Sequence, residues 1–111
     1  MPHRAGSPAI AKAEFFRTLG HPARVRILQV LRGGERSVGA LQAELGLDSG
    51  GTSQQLAALR RIGLVEGRRE GTSVYYRVTD DEVFALLDQA RSIIGRVLEE
   101  RQTLLGELAA E

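Results

Sequence analysis

Apolar and polar positions along the chain alternate at two different periods. Over residues 9–19, Ile10, Ala13, Phe16 and Leu19 recur every third position, which predicts a helix closed by Gly20. Pro22 suits the first position of a second helix, with His21 before it as the cap. Val25, Ile27, Leu28 and Leu31 carry that helix's apolar face, and Gly33 with Gly34 stop it. Ser37 is placed to cap a third, short helix, buried through Val38, Leu41 and Leu45 and ended by Gly46. After a short loop a fourth helix runs over about 50–62 and ends at Gly63.

Beyond it the period falls to two. Residues 64–69 and 73–78 read as strands, with Glu70, Gly71 and Thr72 near the turn. In the second strand Val74, Tyr76 and Val78 share one face, and Ser73, Tyr75 and Arg77 the other. A two-stranded hairpin is not stable alone, so it must lean on the helices. Thr79 opens the last segment. With Glu82 three residues on it fits a capping box, and Asp80, Asp81 and Glu82 complement the positive end of a helix dipole. Apolar residues then recur at Val83, Leu86, Leu87, Ala90, Ile93, Ile94, Val97 and Leu98, and again at Leu104, Leu105 and Leu108.

A helix continuous to Leu108 would be on the order of 40 Å long, against a radius of gyration of ~13 Å for a domain of about 100 residues. One domain cannot cover this stripe, and a second copy packing its own terminal helices is the economical partner. The expected interface is Ile10, Phe16, Val83, Leu86, Leu87, Ala90, Ile93, Ile94, Val97 and Leu98. The expected fold is mainly α with a two-stranded hairpin, in the order ααααββα. It has a flexible tail over 1–8, a single domain over 9–111 and a dimerisation helix over 79–108.

Composition narrows the function. The chain has 111 residues, is 42% hydrophobic and 26% charged, and contains no cysteine, which excludes a disulfide scaffold and thiolate chemistry. With no 18-residue apolar run and no signal-peptide core at the N-terminus, no membrane association is expected, and the expected compartment is the cytoplasm. The net charge of +1 conceals a split: residues 1–78 carry 12 Lys/Arg against 6 Asp/Glu, and residues 79–111 carry 3 against 8. A basic body with an acidic terminal segment can serve a polyanion. All but one of the cations are Arg, which suits phosphate recognition, although a genome rich in Arg codons would produce the same bias.

The third and fourth helices, joined at Gly46 and followed by a hairpin, have the order of a helix-turn-helix with a wing. At 100° per residue, Thr52, Leu56 and Leu59 define the buried side of the fourth helix, while Gly50, Gln54, Ala57 and Arg61 lie opposite, with Ser53 on the flank. Gln can bond adenine twice and Ser can bond either way, so Ser49, Ser53 and Gln54 suit base edges. Gly50 and Gly51 let backbone approach a phosphate, and Arg61 is placed to bind one. Arg68, Arg69 and Arg77 give the wing a basic tip for phosphate or the minor groove. The competing account is an ordinary solvated helix face and turn. Double-stranded DNA is the expected partner.

The stretch Leu19, Gly20, His21, Pro22, Ala23, Arg24, Val25, Arg26, Ile27, Leu28 resembles the Leu-x-x-Pro-x-Arg-x-x-Ile-Leu segment of ArsR/SmtB-type regulators. The run from Ser53 to Val65 is similar to that family's recognition-helix signature, and Arg68 to Tyr76 to its wing. The resemblance covers roughly residues 10–98. It implies a homodimeric winged helix-turn-helix protein that binds an operator, usually as a repressor released by an inducer.

The family also implies metal sensing, and here the residues disagree. One family site matches Ser37 and Gly39, neither of which can supply a thiolate; the other matches Asp80, Glu82, Ile93 and Arg96, where Ile93 cannot ligate and Arg96 repels a cation. No metal cofactor is therefore expected at either. One non-standard alternative is nickel or copper at the terminus, where loss of Met1 would set the Pro2 amine beside the His3 imidazole. A stray histidine on a loose terminus is the simpler account of His3, and a helix cap that of His21. No catalytic constellation is present, so no enzyme is expected. A helical dimerisation or adaptor protein is the alternative of another class; it would not need the basic wing. An effector or partner protein is left open.

Overall fold

The computed structural model describes residues 7–111. The order is α1 (Pro8–Leu19), α2 (Pro22–Leu31), β1 (Arg36–Ser37), α3 (Val38–Leu45), α4 (Ser49–Arg61), β2 (Val65–Glu70), β3 (Ser73–Val78) and α5 (Glu82–Ala110). The chain divides into two compact units, Met1–Asp80 and Asp81–Glu111.

Three of the four helices of the first unit begin with a side chain that accepts from a free N–H, and α1 does not. Pro8 and Pro22 occupy first positions, where the missing N–H costs nothing. His21 caps α2, its Nδ1 accepting from the Ala23 N–H at 3.2 Å. Ser37 caps α3 through Oγ and the Ala40 N–H at 3.1 Å. Gly46, at φ 65°, closes α3 in the left-handed conformation, with its own N–H and that of Leu47 both donating to the Gln42 carbonyl. Asp48, two residues later, caps α4: Oδ1 accepts from the Gly51 N–H at 2.6 Å. The fourth helix therefore starts at Ser49, before the glycine pair.

The core is Ile27, Leu28 and Leu31 of α2, Leu41 and Leu45 of α3, Leu56, Ala58 and Leu59 of α4, and Leu64, Val65, Tyr76 and Val78 at the hairpin. Thr52 is fully buried among them, its hydroxyl donating to the Asp48 carbonyl at 2.8 Å. The hairpin turns at Gly71 (φ 63°), with Glu70 paired to Ser73. At Gly67 a Cβ would lie 3.0 Å from two carbons of the Tyr76 ring, so glycine gives that ring room to lie across β2 without shifting. The sheet has one strand more than the sequence predicts. Arg36 and Ser37 pair with Tyr76 and Tyr75, giving the antiparallel order β1-β3-β2.

The second unit is one continuous helix of 29 residues, about 43 Å long. The capping box expected at its start is not what caps the helix. The Thr79 N–H, which the box would give to Glu82, donates to the Leu64 carbonyl, and the Thr79 hydroxyl donates to the Gly63 carbonyl. Asp81 stands at the N-cap in αR conformation without a side-chain cap bond. The helix begins at Glu82, not Thr79. Val83 is only 4% exposed in the single chain. Leu86, Leu87 and Ala90 are half-buried, and Ile93, Ile94, Val97 and Leu98 are exposed. No described helix is long and apolar enough to cross a membrane.

Candidate nucleic-acid interface

Helix α4 has two unlike faces because its sequence does. Thr52, Leu56, Ala58 and Leu59 hold one in the core. Ser49, Gly50, Ser53, Gln54 and Arg61 are exposed on the other side, and the helix contains no acidic residue. A Cβ at Gly50 would meet nothing within 4 Å, so this end of the helix lies open. Gly51 differs: a Cβ there would stand 2.8 Å from Asp48 Oδ1 and displace the cap. The glycine pair is thus half access and half capping.

Gln55, adjacent to Gln54, is already engaged. Its Oε1 accepts from Arg24 Nε at 2.8 Å, and Arg24 Nη1 donates to the Thr18 carbonyl at 3.0 Å. Sequence reasoning missed this bridge and the Asp48 cap. The cap was discoverable, since Asp before a small-residue helix start is a cap signature. The bridge joins residues far apart in the chain, and no local pattern announces it.

The wing departs most from expectation. Its three arginines are not equivalent. Arg68 makes a two-pronged ion pair with Glu35, Nε to Oε2 at 2.9 Å and Nη2 to Oε1 at 2.6 Å. It also pairs with Glu70 and lies over the Tyr75 ring at 4.9 Å. These carboxylates push the Arg68 guanidinium further above its ordinary range, and Arg68 in turn holds the Glu35 carboxyl below its own. Arg77 pairs with Glu66. Arg68 and Arg77 are therefore compensated by carboxylates, which the charge count along the chain does not indicate. Among the described residues Arg69 and Arg61 are exposed and carry no such pair. Arg60 bonds the Tyr76 hydroxyl at 3.4 Å, tying the end of α4 to the sheet.

Comparison with known proteins decides the family. An HTH-type transcriptional regulator of Mycobacterium tuberculosis, Rv0081, is 47% identical over 100 residues, covering 89% of this chain and 88% of its own. The chain belongs to the ArsR/SmtB family of winged helix-turn-helix regulators. A helix-turn-helix domain model matches residues 19–68, from the end of α1 to the wing. The crystal structure of Rv0081 superposes with a TM-score of 0.76 at 48% identity, covering 81% of this chain and 91% of that one. The homodimeric winged helix-turn-helix DNA-binding domain of Mb0332 from Mycobacterium bovis, a possible ArsR-family regulator, gives 0.75 at 33% identity, covering 90% and 93%. The biofilm growth-associated repressor of Agrobacterium fabrum is 40% identical over 81 residues, covering 73% of this chain and 69% of its own.

The metal sites associated with this family do not fit the residues present. Ser37 spends its oxygen on a helix cap, Gly39 has no side chain, and Arg96 on α5 donates to Ser92 Oγ at 3.0 Å. Among the described residues no group of three or more His, Asp or Glu side chains could hold a metal. His3, named for nickel, lies outside the described residues.

Proposed function

We propose that this chain acts in the cytoplasm as a repressor that binds an inverted-repeat operator as a homodimer. Ser49, Ser53 and Gln54 read base edges, Gly50 lets the helix end approach, and Arg61 with Arg69 contact phosphate. The observation that carries this reading is α4 itself: one face locked in the core, the opposite face small, polar and free of acids. A negatively charged groove would repel such a helix if it bore carboxylates and would not admit it if it bore bulk. Repressor activity is supported by the repressors among the relatives. The effector, if it is a metal, binds elsewhere than the two usual family sites.

The experiment is selection of bound fragments from genomic DNA, with and without added metals, followed by titration of Gln54→Ala. That change should cost ~1–3 kcal/mol on the selected site and little on random duplex. Equal loss on both, or none on either, would remove α4 as the reading element. An adaptor protein would select no DNA at all.

A further inference from the structure

Arg24 stands where three helices meet. It projects from α2, holds Gln55 of α4 through Nε at 2.8 Å and the Thr18 carbonyl in the last turn of α1 through Nη1 at 3.0 Å. That carbonyl is among the four that a helix leaves without an intrahelical partner, so Arg24 satisfies it. The guanidinium is suited to this because its donors diverge in fixed directions from one rigid plane. Both bonds are partly buried, where water competes less for donor and acceptor.

The two ends of the bridge face different tasks. Helix α1 contributes no buried residue to the core, and Ile10 and Phe16 stand 41% and 58% exposed on it. It packs on α2, and this bond ties its last turn there. At the other end, Gln55 lies between exposed Gln54 and core Leu56. A shift of α1 when a second copy seats on it would pull on Arg24, and Arg24 would pull on the helix that reads DNA.

We propose that Arg24 is a positioning residue that couples the seating of α1 against a second copy to the orientation of α4, acting through Gln55. This rests on the DNA-reading role proposed above for α4. Coupling of this kind is reciprocal: operator must tighten the dimer by the factor by which dimerisation tightens operator binding.

The test uses the full chain, the selected operator and a random duplex of equal length. Arg24→Lys keeps the charge and the aliphatic stem but cannot hold both acceptors in the fork's geometry. Gln55→Met keeps the volume and removes the acceptor, leaving Arg24 bound to Thr18. Operator preference over random duplex, measured well above the dimer dissociation concentration, should fall about ten-fold in each variant. The double variant should fall no further than either single one. Sedimentation at several protein concentrations should show operator-induced tightening of the dimer reduced by the same factor. Helix content should match wild type; if Arg24→Lys fails to fold, Gln55→Met carries the test.

A residue that only packs the core would lower thermal stability yet leave both the preference and the linkage intact, and that result overturns the proposal. So do additive losses in the double variant. Absence of any DNA preference in the wild type would instead sink the reading of α4, and the coupling with it. A preference that survives Arg24→Lys sinks the coupling alone.

Discussion

Three arginines within one hairpin have three different fates, and charge counting along the sequence treats them as one. Arg69 is exposed without a carboxylate partner, Arg77 is paired with Glu66, and Arg68 is gripped by Glu35 and Glu70. Phosphate must displace a carboxylate to recruit Arg68, but nothing to recruit Arg69. Arg69→Ala should therefore weaken operator and random duplex alike and lower the salt slope by about one. Arg68→Ala should change the slope less. Glu35→Gln leaves Arg68 with Glu70 as its one carboxylate partner and should raise random-duplex affinity while steepening the slope. Titrations over a range of salt separate these; equal slope losses for the two alanine variants would show that the carboxylates yield to phosphate. The Glu35 carboxyl sits below its ordinary value of about 4.5, first because of the hydrogen bond from Arg68. A depressed carboxylate contributes above its unfolded value and loses that contribution as pH falls through the folded one. Amide protection at the wing tip should hold through mildly acidic pH and loosen only below that ordinary value. Loosening near neutrality would mean that the pair does not hold the wing.

At the scale of elements, the start of α4 makes a sharper distinction than its two glycines suggest. Gly50→Ala enters open space and should stabilise the fold by up to about 1 kcal/mol through helix propensity. The same methyl stands on the face offered to DNA, so operator affinity should fall as stability rises. Gly51→Ala forces Asp48 Oδ1 away, so the same propensity gain is offset by the lost cap and the net change should be near zero, whereas Asp48→Ala loses ~1 kcal/mol with nothing to offset it. Urea unfolding of the three variants orders them; a stabilised Gly51→Ala would mean that the cap is dispensable. The helices were legible in the sequence because their apolar period and their stops coincide, as at Leu41, Leu45 and Gly46. The face of α4 was legible because one side is wholly apolar apart from Thr52. Strand β1 was not: two residues have no period, and Arg36 and Ser37 become a strand only by pairing with Tyr76 and Tyr75. The capping pattern at Thr79 misled because the backbone N–H that the box would give to Glu82 is taken by the Leu64 carbonyl, and the helix begins only after Asp81. Bonds such as Arg68 to Glu35, 33 residues apart, exist only once the chain has folded.

At the scale of the whole molecule, the exposed apolar surface demands a partner. Ile10 and Phe16 on α1, and Ile93, Ile94, Val97, Leu98, Leu104, Leu105 and Leu108 on α5, are each at least 40% exposed. Contiguous surface of this kind on a helix marks an interaction site, and an isolated helix of this length has no core of its own to hide it in. A second copy supplies the same stripe, which is the self-complementarity a two-fold dimer requires. Two reading helices related by that axis enter successive major grooves about 34 Å apart, so the selected operator should be an inverted repeat with half-sites one helical turn apart. Ile93→Glu with Val97→Glu places charges at two exposed positions of the stripe. Light scattering at micromolar concentration should then give the mass of one chain, or aggregates, where the wild type gives two. Operator binding should be lost, because a single half-site forfeits the second set of contacts that the dimer delivers at high effective concentration. Binding to random duplex should weaken far less, since Arg61 and Arg69 remain in place. A wild type that scatters as one chain, or a double variant that still binds the operator as tightly, would mean that the terminal helix serves some other partner.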